Sequence, residues 1–420
     1  MSMPDIRVRV ASEPEPSTKL EDAAARLPHY MRAGTLQLQS LPPLALYVHL
    51  PWCLRKCPYC DFNSHEWRGV QSELPEQRYV QALLADLDAA LPLIWGRRIS
   101  SVFIGGGTPS LFSPSSIDAM LAQIRARVGL VPDAEITLEA NPGTFERDRF
   151  AAYAQAGVNR LSIGVQSFDD AQLRSLGRVH DAAQAHAAIE EAARVMHSFN
   201  IDLMFALPGQ TLDQALGEVR QALRYATPHL SLYQLTIEPQ TPFAKRPPAN
   251  LPDADLAGGA GLDRYEVSAY ARAGHLSRHN LNYWQFGDYL GIGAGAHSKL
   301  SFAHRIVRQV RWRQPERYMQ QAAQGAAIET EQEVARRELP FEFLLNALRL
   351  REGFAPELYV QRTGLPLSSL RTGLQQAIQL GLLTETPDRI AATARGWELL
   401  NEVLTLFLPA PAALQTPQGV

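Results

Sequence analysis

Six short apolar runs set the limits on how this chain folds. Residues 44–50, 100–104, 135–138, 160–165, 200–205 and 229–235 each have strand length and strand composition. Five stretches with helical periodicity separate them: 76–91, 115–128, 145–156, 182–197 and 212–225. A strand–helix alternation of this kind implies parallel strands joined by right-handed crossovers. Six units are too few to close an eight-fold barrel, so the expected fold is α/β, an open partial barrel of the (β/α)6 type. Polar and glycine residues gather where the runs end, the rim on which parallel α/β folds bind their ligands.

The first run ends in Pro51-Trp-Cys-Leu-Arg-Lys-Cys-Pro-Tyr-Cys-Asp-Phe62. Cys53, Cys57 and Cys60 are the only cysteines in 420 residues. An odd set this close together pairs badly as disulfides, and three thiolates on one loop can converge on a metal centre. Iron–sulfur clusters are held by cysteine thiolates, usually four. Three would leave one iron of a cubane open, as catalytic metal sites keep a position open. The alternative from spacing is a structural zinc module, with His49 or His65 as the fourth ligand, although no second cysteine pair exists.

The rest of the chain divides by composition. Residues 1–43 read as a flexible extension with one short helix near 20–33, and 44–300 as the barrel. Residues 244–264 have loop composition with no helical stripe, and 265–270 resume as a strand. Residues 301–338, rich in Arg and Gln, read as a connecting segment. A small winged-helix-like unit is expected over 339–408, with helices at 339–350 and 370–380 and a hairpin about Pro387-Asp388. The tail 409–420 is expected to be disordered. A net charge of −3 and a charged fraction of 20% offer no bulk reason to bind nucleic acid. No apolar run approaches a membrane span, no signal-peptide core is present, and clustered cysteines suit a reducing cytoplasm. Peripheral membrane association through a partner stays open, as does oligomeric state.

Several rim residues are candidates for ligand contact. Gly105-Gly106-Gly107-Thr108 ends the second run, where glycines let a ligand approach the backbone and present N–H and C=O groups to it. Glu139, Gln166 and Asp202 stand at or near the ends of runs three, four and five, and Arg178 follows run four. A guanidinium there can pair with a ligand carboxylate. His279-Asn-Leu-Asn-Tyr-Trp284 combines an imidazole with two flat aromatic faces. Its bland reading is a structural histidine among core aromatics.

Cys53-x3-Cys57-x2-Cys60, with Tyr59 before the last cysteine, resembles the radical S-adenosylmethionine (SAM) signature. In that superfamily the open iron binds the amino and carboxylate groups of SAM, and cluster reduction cleaves SAM to a 5′-deoxyadenosyl radical. From 44 to about 408 the chain resembles the oxygen-independent coproporphyrinogen III dehydrogenase superfamily, and within it the heme-chaperone branch. The stretches 51–62, 104–110, 139–144, 161–168, 176–180, 202–211, 234–239 and 279–284 carry the likeness. The resemblance implies a [4Fe–4S] cluster on Cys53, Cys57 and Cys60. It implies SAM contacts at Tyr47, Gly106, Gly107, Thr108, Glu139, Gln166, Arg178 and Asp202, and a heme site at His279. It also implies a cytoplasmic carrier that hands heme to acceptor proteins. The alternative is the dehydrogenase itself, which decarboxylates coproporphyrinogen III. Dehydrogenases resemble Cys-x3-Cys-x2-Cys-x-Cys, and the fourth position here is Phe62. One departure from the family is the short, glycine-rich gap before 265, where a helix is usual.

Overall fold

The computed structural model describes residues 23–70, 73–143, 147–239, 241–245 and 262–409. The six runs form strands β1 (Leu44–Leu50), β2 (Ile99–Gly106), β3 (Leu130–Ala140), β4 (Arg160–Gln166), β5 (Ser198–Phe205) and β6 (His229–Gln234). They lie side by side, parallel and in chain order. Side chains alternate across each strand. In β4, Leu161, Ile163 and Val165 are buried in the main core, whereas Ser162, Gly164 and Gln166 line a cavity on the concave side.

The intervening helices begin where side chains satisfy their first N–H groups. Ser113 caps the helix Pro114–Arg127 through the N–H of Ser116. Asp181 with Gln184, and Thr211 with Gln214, form capping boxes at Ala182–Val195 and Leu212–Leu223. Their apolar faces, such as Ala185, Ala188, Ile189 and Ala192, are fully buried. The third of the expected helices is shorter than expected, Phe150–Gln155, with 144–146 outside the described residues.

The sheet extends beyond the six runs. After β6 come β7 (Asp263–Glu266) and β8 (Ala269–Ala271), then β9 (Asp288–Ile292), β10 (His297–Phe302), β11 (Arg305–Arg311) and β12 (Ile328–Glu333). The order across the sheet is β12-β11-β10-β9-β1-β2-β3-β4-β5-β6-β8-β7. β9 pairs parallel with β1, Leu44 opposite Asp288, and β10 to β12 follow antiparallel. Three expectations are corrected. Residues 301–338 are not a connector, because β11, β12 and the helix Pro315–Ala322 belong to this extension. Residues 265–270 are not one strand but span the turn of a β7–β8 hairpin. The extension 1–43 is not free over its described part. The helix Ala23–Met31 places Tyr30 flat on Phe302, ring centroids 4.6 Å apart, and Leu36 and Leu38 are buried. Residues 1–22, most of 244–264 and the tail from 410 lie outside the described residues.

The helices Leu339–Ala347, Pro356–Thr363 and Arg371–Gln379 and a hairpin of Leu383–Glu385 with Ile390–Ala392 enclose a second core. Phe343, Leu374 and Ile390 share it with Leu36, Phe286 and Ile306. The unit is thus packed against the sheet extension by apolar contact. Among the described residues no helix is long and apolar enough to cross a membrane.

Candidate functional site

The site is a cavity of about 450 Å³ at the concave face of the six parallel strands. Cys53, Cys57 and Cys60 line it together with Gly106, Gly107, Thr108, Glu139, Gln166, Arg178 and Asp202. Eight of the nine residues expected at a cofactor surface or rim, leaving out the cysteines, were Tyr47 and those seven. The structure brings the seven together and sets Tyr47 on an adjoining cavity. The ninth, His279, lines neither.

The cysteine loop is tied to the sheet. Trp52–Cys53 pairs with His65–Glu66, closing the loop on itself. Gly107 N–H donates to Leu50 O at 2.8 Å and Thr108 N–H to Trp52 O at 2.8 Å. A Cβ at Gly107 would stand 2.6 Å from Trp52 O and 2.8 Å from Pro51 O, so only glycine lets the second strand approach this closely. Gly106, at φ +119°, donates its N–H to Glu139 Oε2 at 3.0 Å. The glycine run therefore spends these amides inside the protein. The glycines bring the cysteine loop and Glu139 together, while Gly106, Gly107 and Thr108 still line the cavity.

Arg178 bridges the loop and the wall. Its guanidinium donates to Asn141 Oδ1 at 2.6 Å and Gly164 O at 2.7 Å, and lies 3.7 Å from Cys57 Sγ. Its Nε is buried without a hydrogen-bond partner. Gln166 sits in the left-handed region at φ 69°, a conformation uncommon outside glycine and often found at functional sites. Asp202 accepts from Ser162 Oγ at 3.1 Å and Asn200 Nδ2 at 2.8 Å. His229 then links Asn200 to the Tyr265 hydroxyl, at 2.7 and 2.9 Å.

The donor set fits a cluster better than a single ion. Burial pushes the Cys53 thiol up to about 11, and its two sister thiols add to the effect. Thiolates in such a place need a compensating positive charge, which a metal centre supplies. Among the described residues no three His, Cys, Asp or Glu side chains gather closely enough for one metal ion. His49 spends Nδ1 on the Tyr47 hydroxyl at 3.0 Å and Nε2 on Asn63 O at 2.9 Å, and His65 Nε2 meets Asn63 Oδ1 at 3.2 Å. Among the described residues neither histidine gathers with the cysteines into a group that could hold one metal ion.

Two buried carboxyl groups, Glu139 and Asp202, line the cavity. Burial pushes Glu139 up to about 8, helped by Asp202 and opposed by the Gly106 N–H; burial raises Asp202 to about 6. Between about 4.5, the ordinary value, and about 8 the folded protein holds a proton on Glu139 that the unfolded chain has released. Stability of the ligand-free protein is therefore expected to fall as pH rises through that window. Glu139→Gln should flatten the fall, read from denaturant midpoints between pH 5 and 9. An equally steep decline in the variant would place the titration elsewhere.

His279 is the second residue of the helix Arg278–Trp284, capped by Ser277. Its ring stacks on Phe103 at 4.5 Å and meets Tyr283 edge-on at 4.9 Å. Burial pulls its pKa down to about 3, leaving the neutral imidazole that metals bind, and Nδ1 is buried with no partner. Asn141, Asn200, His229 and Ser231 line the cavity and were not singled out from sequence. For Asn200, His229 and Ser231 the signal was present as polar positions on strands whose other face is apolar, and Asn141 follows the end of β3.

The radical SAM superfamily matches residues 47–221, and the HemN C-terminal domain matches 334–399. The chain is 49% identical over 381 residues to the heme chaperone HemW of Escherichia coli strain K12, covering 88% of this chain and 99% of that one. It is 47% identical to the heme chaperone HemW of Haemophilus influenzae, with the same coverage. The mouse radical S-adenosyl methionine domain-containing protein 1, mitochondrial, is 37% identical, with 87% of each chain covered. In structure the chain is similar to the coproporphyrinogen III oxidase HemN of Escherichia coli, with a TM-score of 0.72. The alignment is 24% identical and covers 91% of this chain and 93% of that one, a likeness of fold.

Proposed function

The chain belongs to the heme chaperone HemW family of the radical SAM superfamily, and on that premise we propose that it binds a [4Fe–4S] cluster, SAM and heme and passes heme to acceptor proteins in the cytoplasm. The observation that carries this is the single cavity on which the three cysteines meet Glu139, Gln166, Arg178 and Asp202. A cluster on Cys53, Cys57 and Cys60 leaves one iron open to the amino and carboxylate groups of SAM. Asp202 and Glu139 supply acceptors for the hydroxyl and cationic groups of SAM. Arg178 places a positive charge between the cluster loop and the wall, held by Asn141 and Gly164. Tyr47 holds His49, which fixes the loop at Asn63.

Heme binding is assigned to the helix Arg278–Trp284, with His279 as the iron ligand. Its neutral imidazole with an unpaired nitrogen supports that role. The ring is enclosed by Phe103 and Tyr283, so coordination requires this helix to shift, and heme association is expected to be slower than diffusion. Phe62 in place of a fourth cysteine, 61% exposed, favours a carrier over the dehydrogenase.

An anaerobic heme titration of the cluster-loaded protein tests this. Saturable one-to-one binding is expected, weakened roughly tenfold or more in His279→Ala, about 1.4 kcal/mol or above. Absence of saturable binding, or conversion of coproporphyrinogen III to a vinyl product with SAM and reductant, would overturn the carrier reading.

A further inference from the structure

A second cavity, of about 500 Å³, adjoins the first and shares Phe62, Gly106 and Glu139 with it. We propose that it seats the carboxylate edge of the heme, with Lys56 and Arg313 as the cations that meet the two propionates; this rests on the heme-binding reading above.

Size, faces and charge all point the same way. Ligand pockets of roughly 300–1,000 Å³ take drug-sized molecules, the class to which a porphyrin belongs. Tyr47, Phe62 and Tyr283 line the cavity and offer aromatic surface to a flat macrocycle. Lys56 is held in place, its ammonium donating to Phe62 O at 3.0 Å and Ser64 O at 3.2 Å, with one proton left for a ligand. Arg313 lies just past β11, and its guanidinium has no hydrogen-bond or ion-pair partner among the described residues. A guanidinium so placed suits a carboxylate in bidentate fashion. Asp61 is the exposed anion on the same wall, and the Glu139 carboxyl is already engaged by the Gly106 N–H.

The cavity also lies next to His279. Tyr283, one turn further along the same helix, lines it, and its ring centroid is 4.9 Å from that of His279. Two of the cavity's lining rings, Tyr283 and Tyr47, lie against the imidazole, Tyr47 stacked on it at 6.4 Å. Displacing Tyr283 brings macrocycle and imidazole together, which gives the helix shift a direction.

Carboxylates also come from SAM, so the test separates the two sources. Cluster-loaded wild type, Arg313→Gln and the Lys56→Gln/Arg313→Gln pair are titrated anaerobically with hemin, hemin dimethyl ester and SAM. Wild type is expected to bind hemin at least tenfold tighter than the diester. Arg313→Gln should lose several-fold of that preference and the pair all of it, with SAM affinity kept. Since Lys56 lies in the cysteine loop, Arg313→Gln carries the result if the pair fails to hold a cluster. Hemin binding that ignores esterification, or a variant that keeps the preference, overturns the inference and leaves the carrier reading standing. Weakened SAM binding with hemin untouched also overturns it. No hemin binding by wild type overturns both.

Discussion

Replacing any one of Cys53, Cys57 or Cys60 by alanine is expected to remove the visible absorbance of the anaerobically reconstituted protein almost entirely, to below about a tenth of wild type. Each thiol is held differently, yet all three stand on one cavity. Cys53 is buried beside the glycine run, Cys57 lies 3.7 Å from the Arg178 guanidinium, and Cys60 lies 3.7 Å from Ser64 Oγ. Among the described residues no His, Cys, Asp or Glu group gathers to replace a lost ligand, and the neighbouring His49 is bonded through both ring nitrogens. Losing one of three ligands leaves two irons without a protein thiolate, which the remaining two cannot make up. SAM affinity should fall with the absorbance, since the open iron is one of its anchors. Iron, sulfide and zinc analysis of the same preparations checks the claim. Full cluster retention in any single variant would refute the three-ligand assignment. Stoichiometric zinc without iron or sulfide in wild type would refute the cluster.

What was legible in the sequence is what period and punctuation encode. The six parallel strands alternate apolar and small or polar positions, and their helices start at Ser113, Asp181 and Thr211 with capping partners three residues on. The cysteine spacing marks the metal loop directly. What was not legible depends on partners far away in the chain. β11 reads Arg-Ile-Val-Arg-Gln-Val-Arg, and its arginines look like solvated positions. In the fold, Arg305 and Arg311 are buried, and so is Lys299 on β10, where its ammonium meets Asp288 Oδ1 at 3.0 Å. A polar pattern therefore concealed an interior strand. The glycine run was read correctly as a place of close approach. Which backbone approaches, that of the cysteine loop, follows only from the β1–β2 register, His49 opposite Gly105. His279 shows the limit from the other side: its motif is visible in sequence, its enclosure by Phe103 is not.

Asp86→Ala is expected to cost about 3–5 kcal/mol, the usual price of stranding one partner of a buried ion pair. Asp86 lies on the helix Glu76–Ala90 and Arg311 on β11, 225 residues away, with 3.3 Å between Arg311 Nε and Asp86 Oδ1. Both side chains are almost wholly buried, at 2% and 1% exposure. The carboxylate also accepts from the Tyr318 hydroxyl at 2.9 Å and Gly293 N–H at 3.3 Å. It thereby joins the barrel, the turn after β9 and the helix Pro315–Ala322. Burial pushes the Asp86 carboxyl up and Arg311 pulls it back, so the charge survives only while the guanidinium faces it. Alanine would leave Arg311 with Ser298 and Gln309 but no counter-charge. Native stability is roughly 5–15 kcal/mol, so a large share would go, and denaturant unfolding should show it. Asp86→Leu with Arg311→Met removes both charges and should recover much of the loss, because apolar residues often replace a buried pair at little cost. A cost below about 1 kcal/mol for Asp86→Ala would mean that water reaches Arg311 in the variant. The extension β9 to β12 would then be held to the barrel by the β1–β9 pairing, its apolar contacts and its other polar ties, such as Arg97 with Asp288 and Asn63 with Ala294 O.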